Sequence, residues 1–298
     1  MSSARFGKVL TAMVTPFHDD GGLDVDGAAA LARWLVDQGN DGLVVAGTTG
    51  EAPTLSDDEK VELWRAVRAA VDVPLLAGTG SNDTRHTVAL SRRAAETGVD
   101  GLLVVSPYYN RPPQAGIEAH FRAVAGATDL PIVMYDVPTR TGREMAVDTI
   151  LRLAREVPTV VGLKDARGKP GEAAAVVAGA PPGFDVYSGD DGLTLPLLAV
   201  GAVGVIGVCT HWSAGLHAEM IAAHGKGDLE AARALNARLV PSFEVEVGPT
   251  WVHAGAAKAA MAALGQPAGP LRLPLPPLDH QVRSAVGRVL SELGGTGG

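Results

Sequence analysis

Short apolar runs recur along the first three quarters of the chain, at 9–14, 42–46, 73–77, 101–105, 131–135, 160–164, 184–187 and 204–208. Each ends in small or polar residues and is followed by an Ala-rich stretch of helical periodicity. Runs this short that are apolar throughout, rather than alternating, suit strands buried on both faces, as in parallel sheets. The intervening stretches predict helices over 25–39, 57–71, 84–98, 117–128, 147–156, 170–180 and 193–201, the second opened by the capping box Ser56-Asp57-Asp58-Glu59. Strands alternating with helices mean right-handed βαβ units. Eight of them, with no Gly-rich dinucleotide fingerprint after the first, fit a closed α/β barrel, the (β/α)8 or TIM type, better than an open doubly wound sheet.

Beyond position 208 the pattern is helical only, at 214–224, 228–247, 254–264 and 279–293, with a Pro-rich link over 269–277. The first of these helices completes the barrel. A catalytic barrel over 1–226 and a C-terminal helical extension over 227–298 are therefore expected, with the Gly-rich tail 294–298 disordered.

The 298 residues, 46% hydrophobic and 19% charged, are ample for one barrel with an appendage. No run approaches the roughly 20 apolar residues of a membrane helix, and positions 1–8 lack a signal-peptide core, so the cytoplasm is the expected compartment. The net charge of −8 and the absence of a Lys/Arg run argue against nucleic acid or anionic membrane as partner. Small molecules remain the natural ligands. Cys209 is the only cysteine, which excludes an intrachain disulfide framework and a cysteine-based metal cluster and reads as a structural thiol.

Candidate chemistry gathers where the strands end. Thr159 to Asp165 is an apolar run closing on Lys164. A lysine at a dry strand tip loses hydration of its ammonium form, so its pKa falls and the amine becomes a nucleophile able to form a Schiff base with a carbonyl. The same stretch also suits a lysine that reaches solvent or pairs with Asp165. Gly47-Thr48-Thr49-Gly50-Glu51 reads as a nest for a carboxylate or as an ordinary turn closing onto a helix. Of four tyrosines, Tyr108, Tyr109 and Tyr135 stand at the ends of the fourth and fifth strands, either as proton relays or as plugs of the barrel mouth. Arg140 offers a planar fork for a carboxylate or for a surface ion pair. Asp190 and Asp191 read as a capped helix start, with no metal expected.

Val14-Thr15-Pro16-Phe17, Gly47 to Glu51, Pro107-Tyr108-Tyr109-Asn110-Arg111-Pro112, Tyr135 to Gly142, Gly162-Leu163-Lys164-Asp165 and Ser188-Gly189-Asp190-Asp191 together resemble the dihydrodipicolinate synthase family, in the pyruvate-dependent class I aldolase superfamily that includes N-acetylneuraminate lyase. The resemblance runs from about residue 7 to the end of the chain. It implies an enzyme in which Lys164 forms an imine with pyruvate without any further cofactor. It further implies a proton relay of Thr48, Tyr135 and a neighbouring subunit's copy of Tyr109. Thr49, Gly189 and Ile206 are the implied pyruvate-side positions, Arg140 would bind the carboxylate of aspartate semialdehyde, and a homotetramer is implied. The pathway would be lysine and diaminopimelate biosynthesis. The alternative is a related aldolase acting on a 2-keto-3-deoxy sugar acid or similar ketoacid, which would share Lys164, Tyr135 and Thr48; Thr139-Arg140-Thr141-Gly142 favours the synthase.

Three departures stand out. Asp136 replaces the family's usual asparagine, Ala52 a serine, and His253-Ala254-Gly255-Ala256 the Asn-Pro-x-Pro before the helix that bears Lys258. The last is expected to touch the packing of the extension, and through it the oligomer, rather than the chemistry. Where lysine-inhibited members bind lysine, Asn82 and Tyr108 match, but His86 replaces a glutamate and Asp57 and Lys60 replace histidines, so feedback inhibition is expected to be weak.

Overall fold

The computed structural model describes residues 4–294. Strands β1 (Val9–Ala12), β2 (Gly42–Val45), β3 (Leu75–Gly78), β4 (Gly101–Val105), β5 (Ile132–Asp136), β6 (Val160–Asp165), β7 (Asp185–Ser188) and β8 (Gly204–Gly207) close into a parallel barrel in sequence order, β8 returning to β1 through Leu10 opposite Ile206. Around it run α1 (Val25–Asp37), α2 (Asp57–Ala70), α3 (Thr84–Ala95), α4 (Gln114–Ala125), the single turn α5 (Pro138–Thr141), α6 (Val147–Glu156), α7 (Pro170–Gly179), α8 (Thr194–Ala199) and α9 (Thr210–Gly225). Helices α10 (Leu229–Val245), α11 (His253–Ala263) and α12 (His280–Glu292) form the C-terminal extension. This is the expected TIM barrel. No helix among the described residues is long and apolar enough to cross a membrane.

Successive strand residues point alternately inward and outward, and here both directions are dry. Leu10, Ala12, Val44, Leu76, Val133 and Ile206 fill the barrel interior. Leu43, Val45, Leu102, Met134, Leu163 and Val186 face the helices. That double burial is why the strands read as unbroken apolar runs.

The differences from the sequence reading have local causes. Helix α4 starts at Gln114 rather than 117, because Pro113 occupies its N-cap with φ of −66°. Helix α9 starts at Thr210 rather than 214, since a first helical piece joins it across a kink at Ser213, where φ is −138°. The turn α5 and the 3-10 turns Ala52–Thr54 and Asp191–Leu193 were not anticipated, being too short to carry a helical period. The tail expected to be disordered lies, beyond Gly294, outside the described residues.

The extension is bound to the barrel through α11, whose residues from Ala254 to Met261 are all buried. Lys258, fully buried, places its Nζ 2.7 Å from Glu51 Oε1 and 2.6 Å from the Pro270 carbonyl, and 4.2 Å from the centroid of the Phe17 ring. Arg272 stacks against the same ring at 4.1 Å, donates its amide to Glu51 Oε2 at 2.9 Å, and pairs with Glu59, whose carboxyl it holds down at about 2. Ala254 and Ala256, in place of prolines, lie buried in the first turn of α11.

Breaking a buried pair strands a charge, at a cost of about 3–5 kcal/mol. Lys258→Ala should lower unfolding free energy by that amount in urea titrations, whereas the double replacement Lys258→Met with Glu51→Leu should recover most of the loss. Equal damage from the single and double changes would show that packing, not charge, dominates.

Candidate active site

The β5–β6 register sets Tyr135 beside Lys164, and the lysine Nζ lies 4.5 Å from the centre of the phenol ring. Lys164 is only 5% exposed. Burial draws its pKa from 10.5 down to about 8, against the upward pull of Asp191 and Glu246 and with a smaller downward push from Arg140. Asp165 does not neutralise it, because that carboxylate is engaged with buried Arg167, Oδ2 to Nη2 at 2.6 Å. Burial likewise pushes the Tyr135 phenol up to about 12, partly opposed by Arg140 and by hydrogen bonding with Thr48. The phenol therefore keeps its proton at neutral pH and can donate or pass it on.

A Cβ on Gly189 would sit 2.9 Å from Lys164 Cγ and 3.0 Å from Ala166 Cβ, so only glycine lets the β7 end pass the lysine stem. In the Gly47 to Glu51 loop the left-handed residues are Ala46 (φ 58°) and Glu51 (φ 57°) rather than the glycines. Strain in those two residues turns the loop, with Thr15 Oγ1 donating to the Gly50 carbonyl at 2.6 Å and Glu51 anchored by Lys258.

Thr48, Thr49, Tyr135, Arg140, Lys164 and Gly189 border one cavity of about 350 Å³ at the C-terminal ends of the strands. Six of the eight residues singled out in the sequence thus meet. Two do not. Ile206 is fully buried in the barrel interior, packed with Leu10 and Tyr135 below the cavity wall. Tyr109 stands 89% exposed at φ 70° on the loop after β4, outside its own chain's cavity. A second cavity of about 500 Å³ shares Thr48, Tyr135 and Arg140 and continues past Tyr108 to Asp57 and His86.

The sequence reading missed what the extension contributes. Phe243, Glu246, Val247 and His253 also border the Lys164 cavity. Arg140 Nη2 lies 2.8 Å from His253 Nδ1, and His253 Nε2 lies 3.4 Å from Glu246 Oε2. Burial, with help from Arg140, draws the His253 pKa down to about 4, so the ring is neutral and accepts from the guanidinium. The expectation that the 253–256 departure lies away from the chemistry is corrected: its histidine borders the Lys164 cavity. Nothing in an Ala-rich helix start announces that.

Asp136, immediately after Tyr135, is buried and pushed up to about 7. Its Oδ2 accepts the Met145 amide at 2.9 Å, with Arg167 Nε 4.0 Å away. Asp190 caps the turn before α8, accepting the Gly192 amide as the capping reading requires. Asp191 instead accepts the Val208 and Cys209 amides at 2.8 and 3.1 Å, tying down the link between β8 and α9. Asp191, Cys209 and Glu246 bring ligand-type atoms within 4.8 Å of one another, a grouping not foreseen from spacing. Each is engaged within the fold, the Cys209 thiol lying 2.7 Å from Glu246 Oε1 and 3.1 Å from the Ser242 carbonyl.

The model of the dihydrodipicolinate synthetase family matches residues 5–293. The 4-hydroxy-tetrahydrodipicolinate synthase of Acidothermus cellulolyticus is 51% identical over 296 residues, covering 99% of this chain and 94% of the relative. Among solved structures, DHDPS from Cyanidioschyzon merolae with lysine bound superimposes with a TM-score of 0.94 at 40% identity, covering 98% and 100% of the two chains. The chloride-inhibited dihydrodipicolinate synthase of Acinetobacter baumannii complexed with pyruvate gives 0.90 at 35% identity, covering 98% and 100%.

A lysine whose pKa drops from 10.5 to about 8 on folding costs stability of order 3 kcal/mol wherever both states bind the proton, that is below about pH 8. The penalty fades between about pH 8 and 10.5, as the folded state alone sheds its proton. Lys164→Met should accordingly abolish amine chemistry and raise stability at pH 7 by about 1–3 kcal/mol, with the gap closing by pH 10. Denaturation curves at the two pH values check this, and a destabilised variant would contradict the dry-amine account.

Proposed function

The chain belongs to the dihydrodipicolinate synthetase family, and on that premise we propose that it condenses pyruvate with L-aspartate 4-semialdehyde to 4-hydroxy-tetrahydrodipicolinate, a lyase step of lysine and diaminopimelate biosynthesis. The observation that carries the reading is the Lys164 amine, dry and drawn down to about 8, facing Tyr135 and Arg140 across one cavity. The amine attacks the ketone carbon of pyruvate and water leaves, forming the imine. Loss of a proton from the pyruvate methyl gives the enamine, whose carbon attacks the aldehyde. The amino group of the second substrate then displaces Lys164 from the imine carbon, closing the ring and freeing the enzyme.

Tyr135 and Thr48 move the protons these steps require, the phenol supplying one to the departing hydroxyl and recovering it later. Thr49 and the loop amides hold the pyruvate carboxylate, and Arg140 takes the carboxylate of the semialdehyde through charge-assisted contacts. Because the lysine imine itself withdraws electrons, the route calls for no cofactor. Tyr109, exposed and held in a tight loop, serves the site of a neighbouring copy in a homotetramer. A cytoplasmic setting belongs to the same reading.

Borohydride reduction in the presence of pyruvate should add the pyruvate-derived mass to the peptide carrying Lys164, and a coupled assay should show turnover with aspartate semialdehyde. Mass on Lys169 or Lys258 instead would refute the nucleophile. Feedback by lysine should be weak. Asp57, which borders the second cavity with Asp83, is already engaged by His86 at 2.9 Å and by Lys60 at 3.9 Å, and Lys60 would repel an incoming ammonium. Activity titrated against lysine decides it, half-inhibition below about 1 mM being the contrary result.

A further inference from the structure

Arg140 extends from a single helical turn, Pro138–Thr141, and the residue itself is exposed. A long side chain in that position ordinarily samples many rotamers and loses that freedom when it clamps a ligand. Here its Nη2 is 2.8 Å from a ring nitrogen of His253, contributed by the first residue of α11 and separated from it by 113 positions. An acceptor at Nδ1 requires the ring proton on Nε2, and Glu246 Oε2 stands 3.4 Å from that atom. Glu246 is in turn buried at the end of α10, beside the Cys209 thiol. The row Arg140, His253, Glu246 therefore starts at the cavity mouth and ends in the packed seam between barrel and extension.

We propose that His253 is a positioning residue that holds the Arg140 guanidinium for the carboxylate of the second substrate, making the C-terminal extension part of the specificity apparatus. The inference rests on the condensation proposed above and names how its second-substrate end is built. His253 leaves the remaining Arg140 donors free toward the cavity. It makes no hydrogen bond to Lys164, so imine formation with pyruvate proceeds without it.

The test is a mutant cycle read with both substrates. His253→Ala should raise the KM for aspartate semialdehyde about ten-fold with a smaller change in kcat, and leave borohydride trapping with pyruvate unchanged. In an Arg140→Ala background, itself impaired about 30- to 1000-fold in kcat/KM, the same change should add less than about two-fold, since its effect runs through the arginine. His253→Asn, whose amide oxygen can accept from a guanidinium, should restore most of the affinity, whereas His253→Phe, which fills the space but cannot accept, should not. Full activity in the Phe variant, or an undiminished His253→Ala effect without Arg140, would overturn the inference. Wild-type protein inactive with aspartate semialdehyde would instead overturn the condensation and this inference with it.

Discussion

One buried ion pair, Lys258 with Glu51, determines how the two parts of the molecule meet. Removing both charges from water is expensive, and the attraction between them repays that only where geometry and further hydrogen bonds are good. Here they are: the ammonium also reaches the Pro270 carbonyl and the Phe17 face, and the carboxylate also accepts the Arg272 amide. Such a pair adds little to net stability compared with a well-packed apolar alternative. What it supplies is registry. Glu51 is the last residue of the loop that carries Thr48 and Thr49, so the pair fixes that strained loop and the start of α11 with respect to each other.

Lys164, in the candidate site, obeys the opposite rule. Its neighbouring carboxylate, Asp165, is withdrawn from it by Arg167, and the anions that pull its pKa up, Asp191 and Glu246, are only partial compensation for burial. The amine is consequently poised near neutral pH instead of being locked as an ammonium. Both lysines lie against an aromatic ring, and they differ in that Lys258 also has a carboxylate in contact while Lys164 has none. Structural and chemical use of the same residue type is decided by that first neighbour.

The extension joins these two themes. By anchoring α11 through Lys258, the fold delivers His253 to Arg140 at the opposite side of the cavity mouth, and α10 delivers Glu246 behind it. An appendage that packs on the outside of the barrel thereby borders the cavity that holds Lys164.

The barrel and the strand-end chemistry were legible in the chain because both rest on local pattern. Double burial makes each strand an apolar run, capping boxes and Pro/Gly signals bound the helices, and the barrel's topology places every strand's C-terminal end on one face, so Lys164, Tyr135, Thr48 and Arg140 could be brought together on paper. Ile206 lies in the barrel interior, and a strand residue's inward direction along the sequence does not reveal its depth in the barrel. Tyr109 is named by its loop, yet its own chain leaves it facing outward. Only the tertiary structure joined His253 to Arg140, Glu246 to Cys209, and Lys258 to Glu51. Those contacts depend on where the barrel and the C-terminal helices dock, and a docking geometry set by side-chain packing and buried charge has no period along the sequence from which to read it.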